Sequence, residues 1–239
     1  LPGWPRLHRC TNLPVISRSL VPPRQPRGRP DRAFFPMPQP AETTQSCLIL
    51  ASGSPRRRQL LSEAGFTFEM IESGFDEPDQ FCVAFGPGVH AEAVAYYKGR
   101  AVADRRPEAV VLAADTLVAL DGRIYGKPED ADDARRILTT LGGTVHQVIT
   151  GVAMIHRTAG RRTLRHVSTL VKMRALNRDQ MDAYIAGGQW VGKAGAYGIQ
   201  DTDAPFVDRI EGSFSNGVGL PMELVKTMLA DYGVRPGSA

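Results

Sequence analysis

The sequence predicts an α/β protein with a mixed β-sheet, because apolar runs alternate with helical patterns and two of the runs form a hairpin. Residues 47–51 are an apolar run typical of a buried strand, and residues 55–64 follow with the spacing of a helix. Two long β-like runs, 145–156 and 162–174, are joined by a polar turn that contains glycine. Helical crossovers and hairpins together favour a mixed sheet over a purely parallel one.

The next elements lie between the first helix and residue 110. Gly65 ends the first helix, and residues 66–73 predict a second strand that runs into an acidic loop at 76–79. A helix is then expected from Val89 to Ala103. Its helically spaced residues are Val89, Ala93, Tyr96, Tyr97 and Ala101.

The remaining elements are apolar runs bounded by turn residues. Residues 110–120 predict a long strand that turns at Asp121–Gly122 into a short partner strand. Helices are expected at 130–141 and, capped by Asn177, at 177–185. The last elements are a glycine-rich loop at 192–200, a strand near 206–210 and a helix at 219–231 with Pro221 in its first turn.

Proline and positive charge are concentrated in residues 1–46. This segment holds ten of the eighteen prolines and seven arginines against two acidic residues, so it carries about +5 and the rest of the chain is near −1. Because this segment lacks a core-forming pattern, we expect it to be a disordered tail. The folded domain is expected at 47–231, and a C-terminal tail at 232–239. The basic pI belongs to the tail and does not indicate nucleic-acid binding by the domain.

The number of cysteines and the length of the apolar runs are the features of the sequence that bear on the protein's location in the cell. Cys10, Cys47 and Cys82 are odd in number and lack metal-type spacing, which is typical of free thiols in a reducing compartment. No apolar run in the sequence reaches the length needed to cross a membrane. We therefore expect a cytoplasmic protein with no membrane partner.

Residues 48–58, LILASGSPRRR, predict a strand-to-helix junction that binds an anion. Ser54 suits the N-cap and Pro55 the first helical position, where backbone N–H groups and the positive end of the dipole converge. The arginines at 56–58 lie in the first turn, where the dipole disfavours cations unless an anion binds there. A polyphosphate suits such a site. The alternative is an ordinary capped helix with a solvated basic turn.

Asp115 is the carboxylate of an otherwise apolar predicted strand, VVLAADTLVAL. An unpaired buried carboxylate is costly, so Asp115 must face a cleft, bind a cation or pair with an arginine or lysine. One interpretation is a charge paired to hold the fold, and the other is a metal ligand or general base. Thr116 points to the opposite face if the strand is regular.

Further charged residues fit a site for a triphosphate and a divalent metal. Lys98 lies in a predicted helix without an i,i+4 ion pair to Glu92, and Lys127 precedes a proline that forces an extended backbone. With Glu77 of the acidic loop, Asp115 and the arginines, they match the groups that handle a metal-bound triphosphate. Each lysine alone is more often a solvated surface residue.

Gln200 and His146 are the other polar candidates. The loop at 192–200 contains three glycines, so its backbone can approach a ligand, but it lacks a phosphate-loop signature. Gln200 both donates and accepts hydrogen bonds, so it could read the edge of a base or satisfy the loop backbone. His146 could be catalytic, although a lone histidine beside a strand is more often structural.

Seven motifs, in this order, resemble those of the Maf nucleotide pyrophosphatases and together span roughly residues 47–231. They are ASGSPRR at 51–57, AYYK at 95–98, AADT at 113–116, GKP at 126–128, HQVITG at 146–151, GKAGAYGIQ at 192–200 and GVGLP at 217–221. No single motif is decisive, but seven in the family's order are highly specific. Gly99 and Asn216–Gly217 depart from the pattern, and the basic tail is foreign to it.

The resemblance implies a fold like that of the inosine-triphosphate pyrophosphatases, with two lobes around a central cleft, and usually a homodimer. It implies hydrolysis of a nucleoside triphosphate between its α and β phosphates, with Mg²⁺ or Mn²⁺ as cofactor. Asp115 resembles the family's general base and metal-site residue, and Glu77 resembles the acidic residue near the metal. The residues that resemble triphosphate contacts are Ser52, Arg56, Lys98 and Lys127.

The resemblance also points to a branch of the family. Arg57, Thr116 and Gln200 match the positions that mark the branch acting on dTTP and UTP, and CTP or modified pyrimidine nucleotides stay open as substrates. The branch acting on 7-methyl-GTP typically has a different residue after the aspartate, and it is the alternative enzyme. A third hypothesis is a regulator of septum formation that acts by binding, although the near-neutral domain argues against nucleic acid as its partner.

Overall fold

The structure is a computed structural model that describes residues 47–76, 85–200 and 206–237. The expected disordered tail at 1–46 and the metal-site candidate Glu77 lie outside the described residues. The strands are β1 (Leu48–Leu50), β2 (Glu69–Met70), β3 (Val110–Leu120), β4 (Arg123–Tyr125), β5 (Val145–His156), β6 (Arg161–Met173) and β7 (Val207–Glu211). The helices are α1 (Pro55–Glu63), α2 (Pro87–Ala103), α3 (Ala131–Leu141), α4 (Arg178–Ala186), α5 (Phe214–Val218) and α6 (Met222–Asp231).

All seven strands belong to one mixed sheet, as the sequence predicts. The strand order is β2-β1-β3-β5-β6-β7, with β4 beside β3. β1 pairs in parallel with β2 and β3, whereas the remaining pairs are antiparallel. The turn between β3 and β4 has φ values of 50° at Asp121 and 78° at Gly122, which are typical of a two-residue hairpin.

One edge of β3 is shared by two short strands with an opening between them. β1 pairs with residues 110–112 of β3 and β4 pairs with residues 118–120, while β5 pairs along the opposite edge. Within the described residues, no strand therefore pairs with residues 113–117 on the divided edge. This opening exposes the middle of the central strand, where Asp115 and Thr116 lie.

Helix α2 packs closely on one face of the sheet through small residues. Ala91, Ala95 and Gly99 are buried on its inner face. A Cβ on Gly99 would lie 3.1 Å from the Cβ of Ala113, so this departure from the family pattern has a packing reason. The helix is confirmed, but the residues noted for their helical spacing do not form its buried face: Val89 and Tyr97 are 46% and 43% exposed, while the small residues are buried.

The other face of the sheet carries two separate apolar clusters. Near the start of β3, Leu112 and Ala114 pack with residues of α1 and α6, and near its end Val118 packs with α3 and α4. Between them lies Thr116, which is paired across the ladder with Thr150. This polar pair divides the core into two lobes, and the expected cleft lies between them.

The structure differs from the local expectations in four places, including the expected C-terminal tail at 232–239. The predicted second strand at 66–73 contains only the two residues of β2, and the predicted helix at 219–231 begins at Met222. The five-residue helix α5 was not predicted. At the carboxyl end, Tyr232 and Val234 are buried in the core, so the packed region extends beyond residue 231.

No helix among the described residues is both long enough and apolar enough to span a bilayer.

Gly151→Ala is expected to lower the free energy of unfolding by about 3 kcal/mol, because overpacking against a rigid backbone cannot be relieved by a side-chain rotation. The added Cβ would overlap the backbone of Ala91 and Glu92 in α2. Gly126→Ala is the control, because its Cβ would meet open space. Urea unfolding of both variants measures the difference, and equal free energies would contradict the close packing of α2.

Candidate active site

A cleft of about 590 Å³ opens at the divided edge of β3. Its volume lies within the range of small-molecule sites. Eight of the sequence-predicted site residues line this one cleft, and Glu77 lies outside the part of the chain that the structure describes. The eight are Ser52, Arg56, Arg57, Lys98, Asp115, Thr116, Lys127 and Gln200.

The turn between β1 and α1 brings two serines and two arginines to the cleft. Ser54 caps α1 by accepting a hydrogen bond from the Arg57 amide at 3.5 Å, and Pro55 occupies the first helical turn. The Ser54 amide donates to Ser52 Oγ at 3.2 Å. The sequence therefore predicted the cap correctly, and the turn presents Arg56 to the cleft.

Arg57 turns inward and joins three separate segments of the chain. Its Nε donates to the Gly219 carbonyl at 2.8 Å, and its two terminal nitrogens donate to Ser52 Oγ at 3.2 Å and Thr116 Oγ1 at 2.9 Å. Burial lowers the pKa of the Arg57 guanidinium from its usual value, while the negative charge of Asp115 opposes that shift. Arg57 thus fixes the shape of the cleft wall from within.

A chain of buried hydrogen bonds continues from Thr116 across the sheet. Thr116 Oγ1 lies 3.0 Å from Thr150 Oγ1, which donates to the Asn216 carbonyl at 3.2 Å. The fully buried Asn216 side chain donates at 2.9 Å to the Val148 carbonyl and to Thr169 Oγ1. Asn216 was noted in the sequence only as a departure from the family pattern, and the structure gives it this clamping role on α5.

Asp115 projects from the opposite face of β3 to Thr116, as regular strand alternation predicts. Its carboxylate pairs with Lys98 of α2 at 2.5 Å, and the two side chains are 14% and 24% exposed. Gly151 is the ladder partner of Asp115 and allows α2 to approach at this point. The carboxylate therefore both faces the cleft and pairs with a lysine, two of the outcomes that the sequence left open.

Lys127 and Gln200 reach the cleft from two segments that are hydrogen-bonded to each other. Lys127 follows β4 and is exposed, as is Gln200 at the end of the loop 192–200. The Gly195 amide donates to the Gly126 carbonyl at 2.9 Å. Sequence reasoning missed two further charged residues that line the cleft, Glu72 and Lys193. The motif GKAGAYGIQ contains Lys193, whereas nothing local distinguishes Glu72.

His146 lies behind the cleft wall and is neutral. It is 1% exposed, and burial lowers its pKa to about 4. Its Nε2 lies 2.6 Å from the hydroxyl oxygen of Tyr197, which lines the cleft, and its Nδ1 lies 3.4 Å from Thr144 Oγ1. Burial also raises the pKa of the Tyr197 hydroxyl. The histidine itself does not line the cleft, which favours the structural interpretation of this residue.

The family model for Maf-like proteins matches residues 47–232. The chain belongs to the Maf family. The match covers the described domain from β1 to the residue after α6, and it includes every residue that the structure brings to the cleft.

Curated relatives of this Maf protein match over most of their own length. It is 45% identical over 189 residues to the dTTP/UTP pyrophosphatase of Moorella thermoacetica, which covers 79% of this chain and 96% of that protein. It is 46% identical over 190 residues to the dTTP/UTP pyrophosphatase of Salinibacter ruber, covering 78% and 92%. For the dTTP/UTP pyrophosphatase of Chromobacterium violaceum, the identity is 42% over 195 residues, covering 80% and 97%.

Two carboxylates of the cleft are oxygen donors of the kind that a divalent cation prefers. Asp115 and Glu72 both line the cleft, and Mg²⁺ is commonly held by one or two carboxylates plus substrate phosphates. Across residues 47–76, 85–200 and 206–237, no group of three or more His, Cys, Asp or Glu side chains could hold a metal unaided.

The pH dependence of stability is expected to carry the signature of His146. Its folded pKa of about 4 lies below the ordinary 6.5, so the unfolded chain binds the proton first as the pH falls. The resulting stability is present above pH 6.5 and is lost between pH 6.5 and 4, by about 3 kcal/mol in all.

His146→Gln removes this titration and serves as the reference protein. We expect the free energy of unfolding of wild type, measured in urea relative to that of His146→Gln, to fall across this pH window. A constant difference between the two proteins from pH 7 to pH 4 would contradict a buried neutral imidazole.

Proposed function

We propose that this Maf protein hydrolyses dTTP and UTP to the nucleoside monophosphate and pyrophosphate. The observation that carries the proposal is the placement of Asp115 in a cleft that is also lined by Arg56, Lys98 and Lys127. A polyanionic substrate needs such a concentration of basic groups, and its hydrolysis needs a carboxylate among them. Relatives that are 42% to 46% identical to this chain are dTTP/UTP pyrophosphatases, which supports the same reaction.

In the proposed reaction, water attacks the α-phosphorus and the bond from that phosphorus to the bridging oxygen breaks. Asp115 accepts the proton of the attacking water, and pyrophosphate leaves with the bridging oxygen. The charges of Arg56, Lys98 and Lys127 stabilise the negative charge that develops on the leaving group. Lys98 has a second role, because its ion pair holds the Asp115 carboxylate in place at the opening of the sheet.

We assign recognition of the pyrimidine to the wall formed by Arg57, Thr116 and Gln200. Gln200 offers a carbonyl acceptor and an amide donor, which complement the N3–H and O4 groups of thymine and uracil. Cytosine reverses this donor–acceptor pattern, but a flipped amide accommodates it, so discrimination against CTP and modified pyrimidines is expected to be modest. Purines are rejected by size when the loop at 192–200 closes over the base.

The cofactor, assembly and location are part of the same proposal. A divalent cation, Mg²⁺ or Mn²⁺, would be held by Asp115 together with Glu77 or Glu72, and it would neutralise phosphate charge when bound. The family resemblance supports a homodimer, and the odd number of cysteines supports a cytoplasmic location. Light scattering on the purified chain tests the dimer, and activity with and without a chelator tests the cation.

A nucleotide panel tests the function directly. The full chain is incubated with dTTP, UTP, CTP, ATP and 7-methyl-GTP in the presence of Mg²⁺ or Mn²⁺, and pyrophosphate release is measured. We expect dTTP and UTP to be hydrolysed most efficiently. A preference for 7-methyl-GTP over UTP would overturn the branch, and no hydrolysis of any nucleotide would favour a regulator that acts by binding.

Asp115→Asn should lower kcat for UTP by at least roughly 100-fold, because the amide is nearly isosteric but cannot accept the proton of water. The variant should remain folded by circular dichroism, since the substitution keeps the shape of the side chain. Steady-state pyrophosphate release is the measurement. Near-wild-type turnover would remove Asp115 from the mechanism.

Arg56→Ala and Lys127→Ala should lower kcat/KM for UTP and ATP by the same factor, because both nucleotides carry the same phosphates. Gln200→Ala is the contrasting variant and should reduce the preference for UTP over ATP. The measurement is the ratio of kcat/KM values for the two nucleotides. If a basic-residue variant changed this ratio as Gln200→Ala does, the division between phosphate and base contacts would be wrong.

A further inference from the structure

The motif HQVITG at 146–151 has no role in the proposed chemistry, yet its histidine is deeply buried and bonded to the cleft wall. The neutral imidazole has one donor and one acceptor nitrogen. Thr144 Oγ1 donates to the Leu141 carbonyl at 2.7 Å, so it accepts from His146 Nδ1. His146 Nε2 is therefore the acceptor, and the Tyr197 hydroxyl donates to it at 2.6 Å.

Tyr197 follows a strained turn that needs such support. Gly195 and Ala196 have φ values of 70° and 65°, and the left-handed conformation is costly for an alanine. A Cβ on Gly195 would lie 2.6 Å from a methyl carbon of Val118, so this turn is pressed onto β3. Strained backbone persists only where the surrounding structure holds it.

Three side-chain and backbone contacts hold the turn. The Gly195 amide donates to the Gly126 carbonyl at 2.9 Å, and the Tyr184 hydroxyl donates to the Ala196 carbonyl at 3.3 Å. The third contact is the Tyr197–His146 hydrogen bond, which lies on the side of the turn that continues into Gly198–Gln200. It is the contact nearest in sequence to the residues that line the cleft.

We propose that His146 and Tyr197 are positioning residues that hold the loop at 192–200 in the shape with which Gln200 selects a pyrimidine. This inference rests on the proposed function, because it concerns how that substrate is chosen. Neither residue takes part in proton transfer. Tyr197 lines the cleft while its hydroxyl is bonded to His146 in the core, so the loop is anchored at a residue of the cleft wall.

The competing explanation is that this hydrogen bond only stabilises the fold, and Tyr232 provides the matched control. Tyr232 is 7% exposed and Tyr197 is 5% exposed. The Tyr232 hydroxyl lies 3.1 Å from the Met154 carbonyl and 3.1 Å from Thr163 Oγ1. Tyr232 belongs to the core cluster of α6, so Tyr232→Phe loses a buried hydroxyl without touching the loop.

Steady-state kinetics with UTP and ATP on the full chain distinguish the two explanations. We expect Tyr197→Phe to raise KM for UTP roughly tenfold, which corresponds to about 1.4 kcal/mol, with kcat within about threefold of wild type. The preference for UTP over ATP should fall in parallel. His146→Gln should keep most of both properties, because its amide oxygen can accept from Tyr197.

Two kinetic results overturn the proposal. Tyr197→Phe could retain the KM and the nucleotide preference of wild type, or Tyr232→Phe could change them to the same extent. In either case the hydrogen bond between His146 and Tyr197 would have no specific effect on the cleft.

Hydrogen exchange in the absence of nucleotide separates this inference from the proposed function. We expect amides of the loop at 192–200 to exchange about tenfold faster in Tyr197→Phe than in wild type, and unchanged in Tyr232→Phe. Unchanged exchange in Tyr197→Phe overturns the positioning role even if wild type hydrolyses UTP. A wild type without preference for UTP overturns the proposed function, and with it the selection role, whatever the exchange shows.

Discussion

The ion pair between Lys98 and Asp115 is the interaction on which the arrangement of the cleft depends. β3 runs through the middle of the sheet and is apolar apart from Asp115 and Thr116, so a carboxylate in this strand needs a cation nearby. α2 supplies that cation only because Gly151 and Gly99 let the helix lie close to the sheet. The same constraint makes the small residues of α2 its inner face.

A second constraint acts on the other face of β3, where the core is divided. At the centre of the ladder, where the neighbouring positions are apolar, Thr116 and Thr150 form a polar pair. Arg57, from the turn after β1, donates a hydrogen bond to Thr116. Asn216, which lies on α5, continues the network and ties this helix to β5. Gly219, the residue after α5, accepts a hydrogen bond from Arg57 at its carbonyl. Successive residues of one strand thus serve two purposes in the proposal: Asp115 takes part in the phosphate chemistry, and Thr116 belongs to the wall assigned to the base.

Local patterns predicted much of this structure, including the strand β3, the hairpin turn at Asp121–Gly122 and the Ser54 cap. The family resemblance, carried by the ordered motifs, named eight residues that line the cleft. The buried face of α2 could not be predicted, because alanine and glycine carry little hydrophobic signal and become the inner face only through close packing. Glu72 and the clamp by Asn216 depend on distant segments meeting, which no local spacing reveals.

In the proposed reaction, the point of attack is the α-phosphorus, to which the cleft directs water beside Asp115. Hydrolysis of UTP in ¹⁸O-labelled water tests it most directly, because the labelled product identifies the phosphorus that was attacked. We predict that mass spectrometry finds the label in UMP and none in pyrophosphate. Label in pyrophosphate would show attack on the β-phosphorus and would contradict this account of the site.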